Sequence, residues 1–392
     1  MATPISSRPA SALAATIAGA QRPAINAGAD QLVLDPVYAA QTAHLHYVND
    51  RMPGITRSRV REGFLYHAPD GRLIEDPEQL QRIQSLRIPP AWRDVWICPD
   101  QDGHIQAVGF DARGRKQYIY HAKWREVRDE TKFEHMLTFG RALPHIRHRV
   151  EADLKRRGLP REKLVAAVVR LMERTLGRVG NPEYARENET FGLTTLRHDH
   201  VRITAGRIEL DFSGKHHIEH HKVVSDPVLA RILKNCQDLP GSELFQYIDE
   251  AGKLRHISSE HVNDYLRQAS GHHIMAKDFR TWAATNLAVL EMAKLHERRA
   301  TKKDTATVVK RVAAQLGNTP AVCRKSYIHP RVLASYLDGS LLPTLEMIEA
   351  SVREPEMWAV EGVVMRLLAQ WHPEGSKATE AADKAVRLAL GE

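Results

Sequence analysis

The sequence holds only three cysteines, Cys98, Cys236 and Cys323, too far apart for any metal-ligand spacing. That argues against a disulfide framework and a zinc site and fits a reducing compartment. No stretch approaches the roughly 18 apolar residues that a membrane helix needs, so no membrane partner is expected. The run Ala10–Ala20 has the apolar character of a signal-peptide core. Only Arg8 precedes it as a basic residue, so the clustered basic region of a signal is missing. The segment 1–44, rich in Ala, Ser and Pro over most of its length, is read as a disordered tail. No GxxxxGK[ST] element occurs, which removes the usual phosphate-cradling loop of a nucleotide-driven enzyme. Internal repeats are absent too.

Positive charge is what the chain has in excess. Lys and Arg total 56 against 48 Asp and Glu, a net +8, with an isoelectric point near 9.3. A chain this basic suits a polyanion, and nucleic acid is the commonest one. Hydrophobic residues at 43% suffice for real cores, and the length suggests more than one domain.

The pattern divides. From about His44 to Arg128 the signals are those of strands. Gly63–His67 and Arg72–Ile74 flank Pro69-Asp70-Gly71 as a hairpin. Val95–Cys98, Gln106–Phe110 and Arg115–His121 follow, separated by turn residues. From Glu134 the period becomes helical. Leu164, Val168, Leu171 and Met172 share a face, and Gly177 is the expected stop. A three-stranded meander interrupts: Val201 and Ile203, then Ile208, Leu210 and Phe212, then Ile218 and Val223, with Lys215 at the second turn. Helices resume, with Asp278 and Asp304 as expected caps. Thr319-Pro320 opens a short helix with Tyr327 near its end. The expected fold is α+β. A small strand-rich N-terminal domain (45–127) joins a larger, mainly helical catalytic domain (128–345) that carries the meander. A helical C-terminal extension (346–392) follows.

Phosphodiester transfer without a metal needs a nucleophile, positive donors around the phosphorus, and an acid for the leaving oxygen. Arginine suits the charge role because its fork stays protonated and holds two phosphate oxygens. Five separated residues fit: Arg178 beyond a helix stop, Lys215 on a hairpin turn, Arg280 in the first turn of a helix, Asn318 between two helices, and the phenol Tyr327. Singly, such residues are solvated charges or packing aromatics. The histidines His216, His217, His220 and His221 invite a metal reading. Strand alternation would send His216 and His217 to opposite faces, so surface or DNA-facing histidines are expected instead. His198 and His200 could share a strand face, but no third ligand is apparent. Cys323 is read as packing.

The order of these residues resembles one family. Arg178–Arg197, RVGNPEYARENETFGLTTLR, resembles the stretch that carries the first catalytic arginine of poxvirus-type DNA topoisomerases IB. Phe212-Ser213-Gly214-Lys215 resembles their lysine hairpin. AKDFRTW at Ala276–Trp282 resembles the second arginine box, and LGNTPAVCRKSY at Leu316–Tyr327 the nucleophile box. GRKQYIY at Gly114–Tyr120 resembles a DNA-contacting strand.

The resemblance implies that Tyr327 attacks the phosphate to form a 3′-phosphotyrosyl bond. Arg178 and Arg280 would stabilise the transition state, and Lys215 would protonate the 5′ oxygen. Gln117, Tyr118, Tyr120 and Tyr184 would contact DNA. Asn318 departs from the histidine usual in the family; its amide can donate a hydrogen bond but not a proton. The partner implied is double-stranded DNA, gripped by a clamp whose connection lies near Ala122–Arg128. The enzyme would need no cofactor and no ATP, act as a monomer, and work in the cytoplasm at the nucleoid. A tyrosine recombinase uses a similar residue set, but its second arginine box typically reads HxxR, where this chain has Lys277 before Arg280. A DNA-binding protein without catalysis would have no use for Tyr327 and Lys215 together.

Overall fold

The computed structural model describes residues 36–295, 300–351, 357–370 and 386–390. Most of the segment read as a tail, and residues 296–299, lie outside the described residues. The last part of the expected tail is a helix, α1 (Pro36–Thr42), which packs Ala39 and Ala40 with Leu45 and Trp124.

The N-terminal domain is one antiparallel sheet. Its strands are β1 (Ile55–Val60) and β2 (Gly63–His67), then, after α2 (Pro77–Ser85), β3 (Arg93–Ile97), β4 (Ile105–Phe110) and β5 (Lys116–Tyr120), in the order β2-β1-β3-β4-β5. Beside the turn at 68–71, His67 bridges Leu73, as the sequence pattern suggested. The full partner of β2, however, is β1, with Thr56 opposite His67 and Val60 opposite Gly63. The sequence reading missed β1 because ITRSRV buries only Ile55 and so lacks an apolar alternation. Ile55, Ile74, Ile83, Val95, Ile97 and Ala107 form the core under the sheet.

No loop joins the domains. The expected connection at Ala122–Arg128 is the start of α3 (Ala122–Leu154), a continuous helix of 33 residues. The boundary drawn at 127/128 therefore falls inside a helix. His121 caps it by accepting from the Lys123 N–H at 3.2 Å, and Trp124 buries against α1. Lys123 and Arg125 had the look of a linker, yet they lie exposed on a helix.

The catalytic domain continues with α4 (Arg161–Thr175), α5 (Pro182–Asn188), the meander β6 (Val201–Thr204), β7 (Arg207–Gly214) and β8 (Ile218–Ser225), and α6 (Pro227–Gln237). A short ribbon of β9 (Gln246–Ile248) and β10 (Leu254–His256) precedes α7 (Ser259–Ser270), α8 (Ala276–Lys294), α9 (Lys302–Leu316), α10 (Pro320–Ser326), α11 (Pro330–Leu337), α12 (Leu342–Ser351) and α13 (Met357–Ala369). The meander has the expected register, Val201 opposite Leu210 and Gly214 opposite Ile218. His198 and His200 sit in a 3₁₀ turn instead of on a strand face.

Helix α8 is the axis of the domain. Nearly all its side chains are buried, Arg280, Thr285 and Glu291 included, as befits a helix surrounded by others. The boundary at 345/346 falls inside α12, and the C-terminal helices are part of the core. Glu361 on α13 accepts both Nη1 and Nη2 of Arg147 at 2.8 Å and the indole N–H of Trp282 at 3.1 Å.

Asp278 and Asp304, expected as N-caps, stand one turn further in. Asp304 closes a capping box, accepting from the Thr301 N–H at 3.0 Å while its own N–H donates to Thr301 Oγ1 at 3.2 Å; Asp278 makes the carboxylate half alone, accepting from the Met275 N–H at 2.8 Å. Arg280 thus lies beyond the free N–H groups of α8, and what it meets is carbonyl oxygen.

Candidate active site

The first arginine is placed by a backbone device. Helix α4 does not stop at Gly177 but at Leu176, which takes a left-handed conformation (φ 59°). A non-glycine residue there costs about 1–3 kcal/mol, so the surroundings must hold it. They do: the Leu176 carbonyl accepts from Nη1 of Arg280. Beyond it the chain folds back on itself. The Arg178 carbonyl accepts from the Leu193 N–H at 2.9 Å, and that of Val179 from the Thr194 N–H at 2.7 Å. Gly180 (φ +108°) and Gly192 touch backbone to backbone, where no side chain would fit. Asn181 caps α5 and places Tyr184 on its exposed first turn. The far end is tied to the lysine hairpin by Phe191 N–H to Ser213 O at 2.8 Å. The long RVGNPEYARENE pattern is thus one folded loop that aims Arg178.

Arg280 is buried, 5% exposed. Its Nη2 donates to Leu316 O at 2.9 Å, at the C-terminal end of α9, where cations are favoured. Lys222 on β8 takes the neighbouring Gln315 carbonyl at 3.0 Å. Burial, and then Arg178, lower the Arg280 pKa from its ordinary value. Gly317 ends α9 in the left-handed region (φ +65°) and delivers Asn318. The Asn318 carbonyl oxygen accepts from Nη2 of Arg178 at 2.6 Å. Within this site two buried donors, Nε of Arg280 and Nδ2 of Asn318, have no hydrogen-bond partner among the described residues.

Tyr327 is the C-cap of α10, its N–H bonded to Cys323 O at 3.0 Å. Its carbonyl lies 3.3 Å from Thr285 Oγ1, which shares its proton with the Thr281 carbonyl at 3.0 Å and accepts from the His329 N–H at 3.1 Å. The half-buried ring lies 5.3 Å from the Arg280 guanidinium carbon and 5.7 Å from Nζ of Lys132. Lys132 also donates to Ser326 O. Burial pushes the Cys323 thiol up to about 12, so it is an inert packing group.

Arg178, Arg280, Asn318 and Tyr327 are thus brought together. Lys215 stands at the rim, exposed on the β7–β8 turn and without a bonded partner among the described residues. His216 and His217 occupy this same turn with positive φ (67° and 55°), not a strand. Among the described residues no three His, Cys, Asp or Glu side chains group as a metal site. Burial, then Lys215, Arg178 and Arg115, lower the His216 pKa. Arg115 comes from the N-terminal domain, where it pairs with Asp111 at 2.6 Å, so that domain reaches the same face.

Of the expected DNA contacts, Tyr118 and Tyr120 share one sheet face, their rings stacked at 5.9 Å. Gln117 lies on the other face, opposite Gly109, and its amide donates to Asp111 at 3.1 Å. His220, Lys222, Lys132 and Thr285 complete the surroundings and were not singled out for the site from sequence. His220 was counted with its neighbours as a surface histidine, and the others carry no motif of their own.

A cluster of cations around two unsatisfied donors, with a phenol beside it, is a site for an anionic group and a nucleophile. The chain matches the family model for the catalytic core of eukaryotic DNA topoisomerase I over residues 121–343, and that for the N-terminal domain of bacterial DNA topoisomerase IB over residues 63–111. It is 31% identical over 296 residues to a DNA topoisomerase 1B of Acanthamoeba polyphaga mimivirus, covering 73% of this chain and 88% of that protein. It is 24% identical over 278 residues to a DNA topoisomerase 1B of vaccinia virus, covering 68% of this chain and 85% of that protein. The chain belongs to the type IB DNA topoisomerases. Its substrate is DNA, and no helix among the described residues is long and apolar enough to cross a membrane.

Proposed function

We propose that the enzyme relaxes supercoiled DNA through Tyr327. The phenolic oxygen attacks a phosphodiester, forms a 3′-phosphotyrosyl bond and releases a 5′-hydroxyl. After strand rotation that hydroxyl attacks in turn and restores the backbone. The bond energy is kept throughout, so no nucleotide is consumed. Arg178, Arg280 and Asn318 carry the charge that builds on the non-bridging oxygens. The observation that carries this reading is the pair of unpartnered buried donors, Arg280 Nε and Asn318 Nδ2, beside Tyr327. Buried donors without acceptors cost about 1–3 kcal/mol each, a cost a bound phosphate would offset.

Lys215, exposed and mobile about its own side-chain bonds, reaches in from the turn as general acid for the 5′ oxygen. Tyr118, Tyr120 and Tyr184 face the duplex, and the two domains close on it as a clamp. The catalytic fold is that shared with tyrosine recombinases. The enzyme works as a monomer in a reducing cytoplasm; its three cysteines, all free and buried, support the compartment. The test is Tyr327→Phe, which removes only the nucleophilic oxygen. Relaxation and denaturant-trapped adducts should vanish while DNA affinity stays. A covalent adduct formed by Tyr327→Phe would place the nucleophile elsewhere.

A further inference from the structure

Lys215 and Asn318 are each preceded by a glycine, and one side chain lies against both. A β-carbon on Gly214 would stand 2.6 Å from Nε2 of His220 and nearer still to Cδ2, and one on Gly317 would stand 2.8 Å from Cε1. The ring therefore fills the gap between the lysine turn and the loop of Asn318. We propose that His220 is a positioning residue, a spacer that sets the distance between Lys215 and the Arg178–Asn318 pair. This rests on the reading of the site given above.

The packing around it fits that role. Phe212 covers the ring at 5.2 Å between centroids. Lys222, two residues along β8 on the same face, fixes the strand to the Gln315 carbonyl at the end of α9. Among the described residues the ring makes no hydrogen bond, so shape is what it supplies. Lys222, Arg178 and Arg280 face it, with Glu219 acting the other way. Burial first, then those cations, hold its pKa down to about 4. A neutral ring adds no charge to a site already crowded with cations; a charged one would repel Arg178 and Arg280.

Without the spacer the hairpin carrying Lys215 loses its seat, and a misplacement of about 1 Å costs on the order of 10²-fold in rate. The experiment measures single-turnover cleavage by His220→Ala, Gly214→Ala and the double variant. Gly214 has φ −96°, which alanine tolerates, so any loss there comes from the clash with the ring. Each single variant should slow cleavage about 10–100-fold. The double variant should be no slower than His220→Ala, because the space is then vacant. Losses that multiply would overturn the spacer.

A DNA carrying a 5′-bridging phosphorothiolate, which leaves without a proton, adds a readout that a general loss of packing would not move. His220→Ala should recover on it as Lys215→Ala does, with DNA affinity unchanged. Rescue of Lys215→Ala without rescue of His220→Ala refutes the inference while leaving the acid in place. If Lys215→Ala is not rescued either, the acid assignment fails, and the double-variant comparison alone decides on the spacer.

Discussion

Asn318→Asp tests whether the side-chain amide works as a donor to phosphate. In the folded enzyme its Oδ1 is occupied by Arg178 at 2.6 Å, and its Nδ2 is buried without a partner. Aspartate keeps the first contact and loses the second. Loss of one preorganised donor costs about 10²–10³ in rate. Aspartate also adds a negative charge. Taken as about 4 Å from the phosphate at an effective dielectric of about 20, that charge costs about 4 kcal/mol, or roughly another 10³. A tighter ion pair with Arg178 would offset part of this, but it would hold the guanidinium away from the phosphate. Asn318→Asp should therefore cleave at least about 10³-fold more slowly, and Asn318→Ala about 10²–10³-fold. Asn318→His should stay near the parent, since a neutral imidazole offers one acceptor and one donor. The assay is single-turnover adduct formation on a suicide substrate at neutral pH. An aspartate variant as fast as the parent would show that Asn318 does not donate to the phosphate.

Glu361→Ala should lower stability by about 1–3 kcal/mol, because the Trp282 indole N–H loses its acceptor and Arg147 keeps only Glu173; an unchanged melting temperature would show that α13 is not braced this way. Acid should destabilise the fold. Burial first, then nearby cations, hold His220 at about 4 and His329 at about 3 in the folded chain, against 6.5 unfolded. Above 6.5 both states are neutral; below it the unfolded chain takes up protons first. Stability should thus fall from pH 6.5 downward, by at most about 1.4 kcal/mol per unit per histidine, and a melting temperature flat from pH 7 to 4.5 would contradict this. DNA binding should weaken steeply with salt as counterions are released, and a flat plot of log affinity against log salt would refute the cationic face around Lys215, Arg178 and Arg115.

The strands with strict alternation and the helices with apolar faces were legible in the sequence. So were the turn residues of the meander, and four residues of the site that the fold then brought together. What escaped had physical reasons. β1 is a strand made by its neighbours, since β2 and β3 supply bonds that its own composition does not ask for. α3 begins among cations that look like a linker because only Trp124 and Val127 carry the apolar signal of its first turns. The C-terminal helices showed no chemical motif, and only the fold reveals Glu361 reaching Arg147 and Trp282. His220 was misjudged because its neighbour in space, Gly317, stands far along the chain. Strand alternation puts Gln117 and Tyr118 on opposite faces, but the motif they share suggested a common role.

The anchoring of Tyr327 bears on the moment when the DNA is broken. With Tyr327 as the nucleophile, the cut strand hangs from a single side chain, and the twisting duplex pulls on it. The backbone at that point is tied to α8 through Thr285, whose hydroxyl accepts from the His329 N–H and shares its one proton between the Tyr327 and Thr281 carbonyls. Torque on the DNA end is thus delivered to the most deeply buried helix of the domain instead of to a surface loop. The broken end is moored to a rigid post, so it can be found again by the returning 5′-hydroxyl after each turn of the free strand.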